Sequence, residues 1–347
     1  MAKTTQRIIY LDILNIMACL WVVLLHHNGI VHDFSSVSLN AWTQALFIEV
    51  VCYFAVPIFL MLTGVTLMEY RKRYDTKTFF QKRLSRVLVP FITWMIIFFL
   101  YDVWQGHYDL STMSAKEIFD IFLFNRMMAI YWFFPVIISI YFAVPILSLL
   151  TEPKHRTWLW YMVGVGSIFY GILPATFKML HLDWNPAYTF PLTGGGLIIY
   201  PILGYLLSTT AIPRRWRFLL YGGAILCIIL RFVVMYHNSI ASGSTDTTLA
   251  GYVYFTAMIP AAAIFILAQR IPWQKFIGDK SSTFLAKVSG CSLGVYLIHM
   301  FVIMRLQEVF GWSGIWFRTA GAFLTYFICL AIVWVVKSGV ISRRLFP

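Results

Sequence analysis

Residues 8–28 read IIYLDILNIMACLWVVLLHHN, and the strongly polar positions in this run are Asp12, Asn15, His26, His27 and Asn28. About 20 apolar residues in a helix cross the hydrocarbon core of a bilayer, so this run has the length of a span. It continues past the apolar core of a signal peptide and has no small-residue cleavage site, so it is expected to remain a helix. Comparable runs follow near 45–68, 87–104, 130–150, 158–175, 192–208, 216–236, 249–268, 288–307 and 315–336.

The composition points the same way. Of 347 residues, 60% are hydrophobic and 12% are charged, whereas soluble domains carry about 25% charged residues. Disorder is excluded, because it requires few apolar residues and many charges. The expectation is an all-α integral membrane protein with about ten transmembrane helices, folded as one transmembrane domain over residues 1–347. No hydrophilic stretch is long enough for a separate soluble domain, and no internal repeat is visible. The longest loops, near 69–86 and 105–129, have room for short interfacial helices.

The net charge of +13 would suggest nucleic acid in a soluble protein, but here the placement of the basic residues argues for topology instead. With both termini cytoplasmic, most Lys and Arg fall on inner segments, as positive-inside anchoring requires. These include Lys3 and Arg7, the cluster from Arg71 to Arg86, Arg214 to Arg217, and Arg343 with Arg344. Acids such as Asp33, Asp102, Asp109, Glu117 and Asp246 fall on the outer side. No nucleic-acid partner is expected. The five cysteines are scattered singly and suggest neither a disulfide framework nor zinc. The cluster His26, His27, His32 and Asp33 repeats no ligand spacing, so no metal is expected.

Ionisable residues within spans are costly and usually face the bundle interior or a watery cavity. The 11 steps from Asn15 to His26 rotate about 1100°, roughly 20° past three full turns, so the two share a face about 16 Å apart. Asp12 lies close to the same stripe about 21 Å from His26, too far to orient it. Glu49, opening the second span, is the carboxylate expected to orient His26 or raise its basicity; the plain alternative is a pair of interfacial histidines.

Arg83 and Arg86 are three apart and so are neighbours on a helix. Two guanidiniums there can clamp phosphates or simply anchor the helix against anionic lipid. Trp132, in an aromatic run from Tyr131 to Pro135, fits either substrate or an interfacial belt. Thr193-Gly194-Gly195-Gly196 fits close helix packing. His299 lies mid-span after Tyr296, as substrate contact or buried core. Arg231, Arg305 and Arg318 either surround a polar acceptor or snorkel.

Taken in order, these landmarks resemble the membrane-bound acyltransferase type 3 family, in its stand-alone form without an extracytoplasmic hydrolase-like domain. Arg7 through His26 is similar to the family's opening helix. Phe59-Leu60-Met61-Leu62-Thr63-Gly64 resembles its stretch ending in Ser-Gly. Arg83-Leu84-Ser85-Arg86 resembles its R-x-x-R motif, Trp132-Phe133 its L-W-F segment, and Ser292 through His299 its late S-x-G-x-Y-L-x-H stretch. Two departures stand out: Asn15 where many members have Arg, and Ile130 where many have His.

The resemblance implies transfer of an acyl group, commonly acetyl, from cytoplasmic acetyl-CoA to a hydroxyl of an envelope glycan or related acceptor at a bacterial plasma membrane. His26 would be the essential histidine and general base, with Glu49 beside it. Arg83 and Arg86 would be the arginines on the acyl-CoA side; their positions in the spans add Asn15 as a candidate on that side, and Asp12, Trp132, Arg231, Tyr296 and His299 as candidates for the substrate. The lipid bilayer is a partner, and a homo-oligomer is compatible with this picture. The alternatives are a carrier of a small amino acid or sugar, and a non-catalytic subunit of an envelope-synthesis complex.

Overall fold

The computed structural model describes residues 8–311, 314–339 and 346. Lys3, Arg7, Arg343 and Arg344, used above for topology and for the opening motif, lie outside the described residues. The described residues are all helix, turn and loop, with no strand among them. Eight helical segments are long and apolar enough to cross a membrane: Ile9–His27, Leu39–Lys72, Thr76–Trp104, Ala129–Thr151, Pro153–Met179, Arg214–Ser242, Ser292–Phe310 and Gly314–Lys337. Two shorter apolar helices, Ile199–Thr209 and Phe255–Arg270, occupy the two remaining positions expected from the sequence. The chain is a multi-pass membrane protein.

Helix α1 (Ile9–His27) is the central element, packing on six of the other helices. The second span is broken into α2 (Leu39–Cys52) and α3 (Ala55–Leu67). Pro57, in the first turn of α3, has no N–H to give the Tyr53 carbonyl, so the helical ladder is interrupted at that point. The break brings Glu49 at the end of α2 and Tyr53 beside the C-terminal end of α1.

Helix α4 (Thr76–Trp104) begins well before the expected start at 87. Asp75 caps it, accepting a 2.7 Å hydrogen bond from the Thr78 amide, and this bond holds the Asp75 carboxyl below its ordinary range. At 1.5 Å per residue its 29 residues run about 44 Å, well beyond the ~30 Å of hydrocarbon. The surplus is the opening turns bearing Lys77, Lys82, Arg83 and Arg86, which are therefore helix and not loop.

The expected interfacial helix in the 105–129 loop is α5 (Ala115–Leu123), opened by a Ser114–Glu117 capping box. Phe119, Leu123 and Phe124 are exposed there. The remaining helices are α6 (Phe133–Leu147), α7 (Arg156–Gly166), α8 (Leu173–Met179), α9 (Ile199–Thr209), α10 (Arg214–Ser242), α11 (Phe255–Arg270), α12 (Asp279–Ser289), α13 (Ser292–Phe310) and α14 (Ala322–Lys337).

The tightest crossing is between α3 and α9. A Cβ added at Gly64 would fall on the Pro201 carbonyl, and one at Gly204 on that of Met61. Two small residues thus let the backbones touch, as in glycine-based membrane helix pairs.

Candidate functional site

The helices line a cavity of about 650 Å³, and its wall includes Asp12, Asn15, Thr63, Arg83 and Arg86 toward one end and His26, Glu49, Tyr53 and Trp132 toward the other. Helix α1 supplies one side along its length, because Asp12, Asn15 and His26 share a stripe. Helix α3 runs antiparallel to it, so Val56 lines the histidine end and Thr63 and Thr66 the arginine end. The cluster of polar residues expected from the sequence is therefore largely brought together around a single space.

At the arginine end, the overhang of α4 places Arg83 and Arg86 on the cavity. Arg83 donates to the Tyr74 hydroxyl at 3.3 Å, and its buried Nε has no hydrogen-bond partner among the described residues. Tyr141 of α6 lies within electrostatic reach of both guanidiniums. Arg73, which the sequence shows only as part of a basic run, also lines this end while donating to the Thr66 carbonyl. Three guanidiniums thus line the same end of the cavity.

Asn15 lines the cavity but spends its amide N–H groups on its neighbours. Its Nδ2 lies 2.8 Å from the Ser289 carbonyl, 2.9 Å from the Ser289 hydroxyl and 3.1 Å from the Ser292 hydroxyl. It therefore ties α1 to the α12–α13 junction. Asp12 is buried on the same wall.

At the histidine end, no hydrogen bond joins His26 to Glu49 among the described residues, although both line the cavity. The groups within electrostatic reach of Glu49 are Arg231 and His32, with the Asn28 amide nearby. The ring packed on His26 is that of His299, with centroids 5.1 Å apart. His27, the adjacent histidine, turns away to bond the Thr325 hydroxyl at 2.8 Å.

Two residues expected to meet substrate do not line the cavity. His299 is fully buried behind His26. Arg231 is 1% exposed and lies 3.4 Å above the Tyr53 ring, which stands between it and the cavity. A polar residue in the middle of a span reads the same from sequence whether it lines a cavity or stands one layer behind. Arg305 and Arg318 are elsewhere: the first pairs with Glu308 at 2.6 Å, and the second bonds Gln44 at 3.1 Å.

Trp132 lines the histidine end, stacked on Tyr252, which stacks in turn on Tyr53. Tyr53 and Tyr200 donate their hydroxyls to the carbonyls of Ala250 and Tyr252, pinning that loop. Tyr296 also lines the cavity and gives its hydroxyl to the Ile130 carbonyl. Tyr53 and Tyr252 were not foreseen; they come from a helix break and a loop, where no periodicity marks a lining position. Among the described residues no group of His, Cys, Asp or Glu is arranged to hold a metal ion.

The sequence model of a family described as an acyltransferase domain matches residues 8–335. No curated protein and no solved structure matches the chain.

Proposed function

We propose that this chain, which belongs to the acyltransferase family matched over residues 8–335, is an O-acyltransferase that carries acetyl from acetyl-CoA to a hydroxyl of an envelope glycan or lipid-linked acceptor. The observation that carries this reading is the single cavity with Arg83 and Arg86 toward one end and His26 toward the other. With both termini cytoplasmic in a bacterial plasma membrane, the arginine end opens to the donor and the histidine end to the acceptor.

The donor fits the arginine end on charge. Guanidiniums bind phosphate oxygens through paired, charge-assisted hydrogen bonds, and Arg83 has an unsatisfied N–H to offer. CoA carries its phosphates at one end and its thioester at the other, so an extended CoA held by Arg73, Arg83 and Arg86 sends its acyl group along the cavity toward His26. Asn15 holds the wall of that passage instead of touching the donor.

At the far end His26 takes the proton of the acceptor hydroxyl as its oxygen attacks the thioester carbonyl. The carbon–sulfur bond then breaks, the ester remains on the acceptor, and the CoA sulfur leaves with the electron pair and picks up a proton. Trp132, backed by Tyr252, offers a flat apolar face at which a sugar ring rests.

Full-length protein in lipid nanodiscs, incubated with radiolabelled acetyl-CoA and envelope extract, tests the proposal. Label transferred to an extract component supports it. Substrate counterflow in liposomes without label transfer would replace it with a carrier, and neither result with a non-catalytic subunit.

A further inference from the structure

His299 is 0% exposed, so nothing in the cavity reaches it, and the reading above gives it no task. Its Nδ1 lies 2.7 Å from the Tyr296 carbonyl oxygen. A carbonyl only accepts, so Nδ1 carries the hydrogen, and in the neutral ring Nε2 is left as a bare acceptor. That Nε2 is buried and has no hydrogen-bond partner among the described residues. A buried acceptor left unpaired is costly and calls for an explanation. The ring of His26 lies against this imidazole at 5.1 Å between centroids, tilted by 43°.

We infer that His299 is the positioning residue for His26: the two rings pack together with no hydrogen bond between them in this structure, and a turn of the His26 ring presents its N–H to the bare Nε2, which then fixes the tautomer and ring angle of that imidazole. With one nitrogen committed as a donor toward His299, the other nitrogen of His26 keeps its lone pair for the cavity. This rests on the assignment of His26 as the base. It gives the orienting role to a neutral imidazole in place of Glu49, which makes no hydrogen bond to His26 among the described residues and has Arg231 and His32 within electrostatic reach. The orientation is anchored further back, because Tyr296 gives its hydroxyl to the Ile130 carbonyl while its own carbonyl holds His299. The residue two places beyond Ile130 is Trp132, so Tyr296 ties His299 to the turn that bears the aromatic face of the cavity.

The test compares wild type, His26→Ala, His299→Ala and His299→Gln, each full-length in nanodiscs, for label transfer from acetyl-CoA to envelope extract and for acetyl-CoA binding. His299→Ala is expected to leave KM for acetyl-CoA within about twofold and to lower kcat about 100-fold, the scale of a misdirected general base. His299→Gln, whose amide oxygen accepts a hydrogen bond at similar reach, is expected to recover at least tenfold of that loss.

If His26→Ala is inactive and His299→Ala is as fast as wild type, the inference fails while His26 stands. Activity in His26→Ala removes the base assignment itself, and absence of transfer by wild type removes both. Equal loss in His299→Gln and His299→Ala, or loss of acetyl-CoA binding in both, would make His299 a packing residue only.

Discussion

Tyr131 and Tyr296 exchange hydroxyls across the bundle: Tyr131 donates to the Leu297 carbonyl at 2.7 Å, and Tyr296 donates to the Ile130 carbonyl. Each residue bonds the neighbour of the other, so the turn Ala129–Trp132 before α6 is fastened twice to α13. A hydrogen bond of this kind contributes about 0.5–1.5 kcal/mol net, and leaving its buried partner unsatisfied costs about 1–3 kcal/mol. Tyr131→Phe and Tyr296→Phe are each expected to lower stability by about 1–3 kcal/mol in thermal unfolding. The double variant should fall short of the sum, because both bonds fasten one turn. A fully additive pair would show that they act independently.

His26→Ala should abolish acyl transfer, a loss of at least about 100-fold, while acetyl-CoA binding persists. The check is label transfer beside a binding isotherm on the same preparation. Retained transfer ends the assignment.

Arg83→Ala with Arg86→Ala should weaken acetyl-CoA binding by at least about tenfold, since each charge-assisted bond to phosphate contributes roughly 1.5–3 kcal/mol. Arg73→Ala should add to that loss. Dephospho-CoA separates phosphate recognition from helix anchoring: it should discriminate among the variants less than CoA does. Equal binding by all variants would leave only an anchoring role.

Asn15→Ala removes the donor shared by the Ser289 carbonyl and the Ser289 and Ser292 hydroxyls. The expected cost is about 1–3 kcal/mol, read as a lower unfolding temperature with donor affinity little changed. A selective loss of donor affinity at unchanged stability would return Asn15 to the binding residues.

The capping box of α5 gives a pH prediction. The Ser114 amide and hydroxyl hydrogen bonds hold the Glu117 carboxyl below its ordinary value of 4.5. A depressed folded value means the cap stabilises the helix fully above the unfolded value and is lost as pH falls through the folded one. Amide exchange in residues 115–118 should therefore accelerate relative to the core of α13 as the pH falls below the ordinary carboxyl value of 4.5, and Glu117→Gln should remove the pH dependence.

The spans were legible because hydrocarbon demands a long apolar run, and the shared stripe of Asp12, Asn15 and His26 because a single helix fixes it by rotation alone. Arg83 and Arg86 were legible on the same ground, one turn of one helix. What failed depended on two helices at once. Glu49 and His299 both had the composition of a partner for His26, and crossing geometry, not spacing, decided which ring lies against it. Arg231 and His299 show that burial depth is invisible in a span. The early start of α4 was missed because its first turns are polar, and polarity there reflects emergence from lipid rather than loss of helix.

The contact of Gly64 with Pro201 and of Gly204 with Met61 has a mechanical consequence. Where main chain rests on main chain there are no rotamers to change, so α3 and α9 can neither slide nor tilt against each other and behave as a single beam. Helices α4 and α6, by contrast, meet through aromatic side chains such as Phe91 on Phe134, whose rings turn without breaking a helix, so an opening of the cavity is expected at that seam and not between α3 and α9.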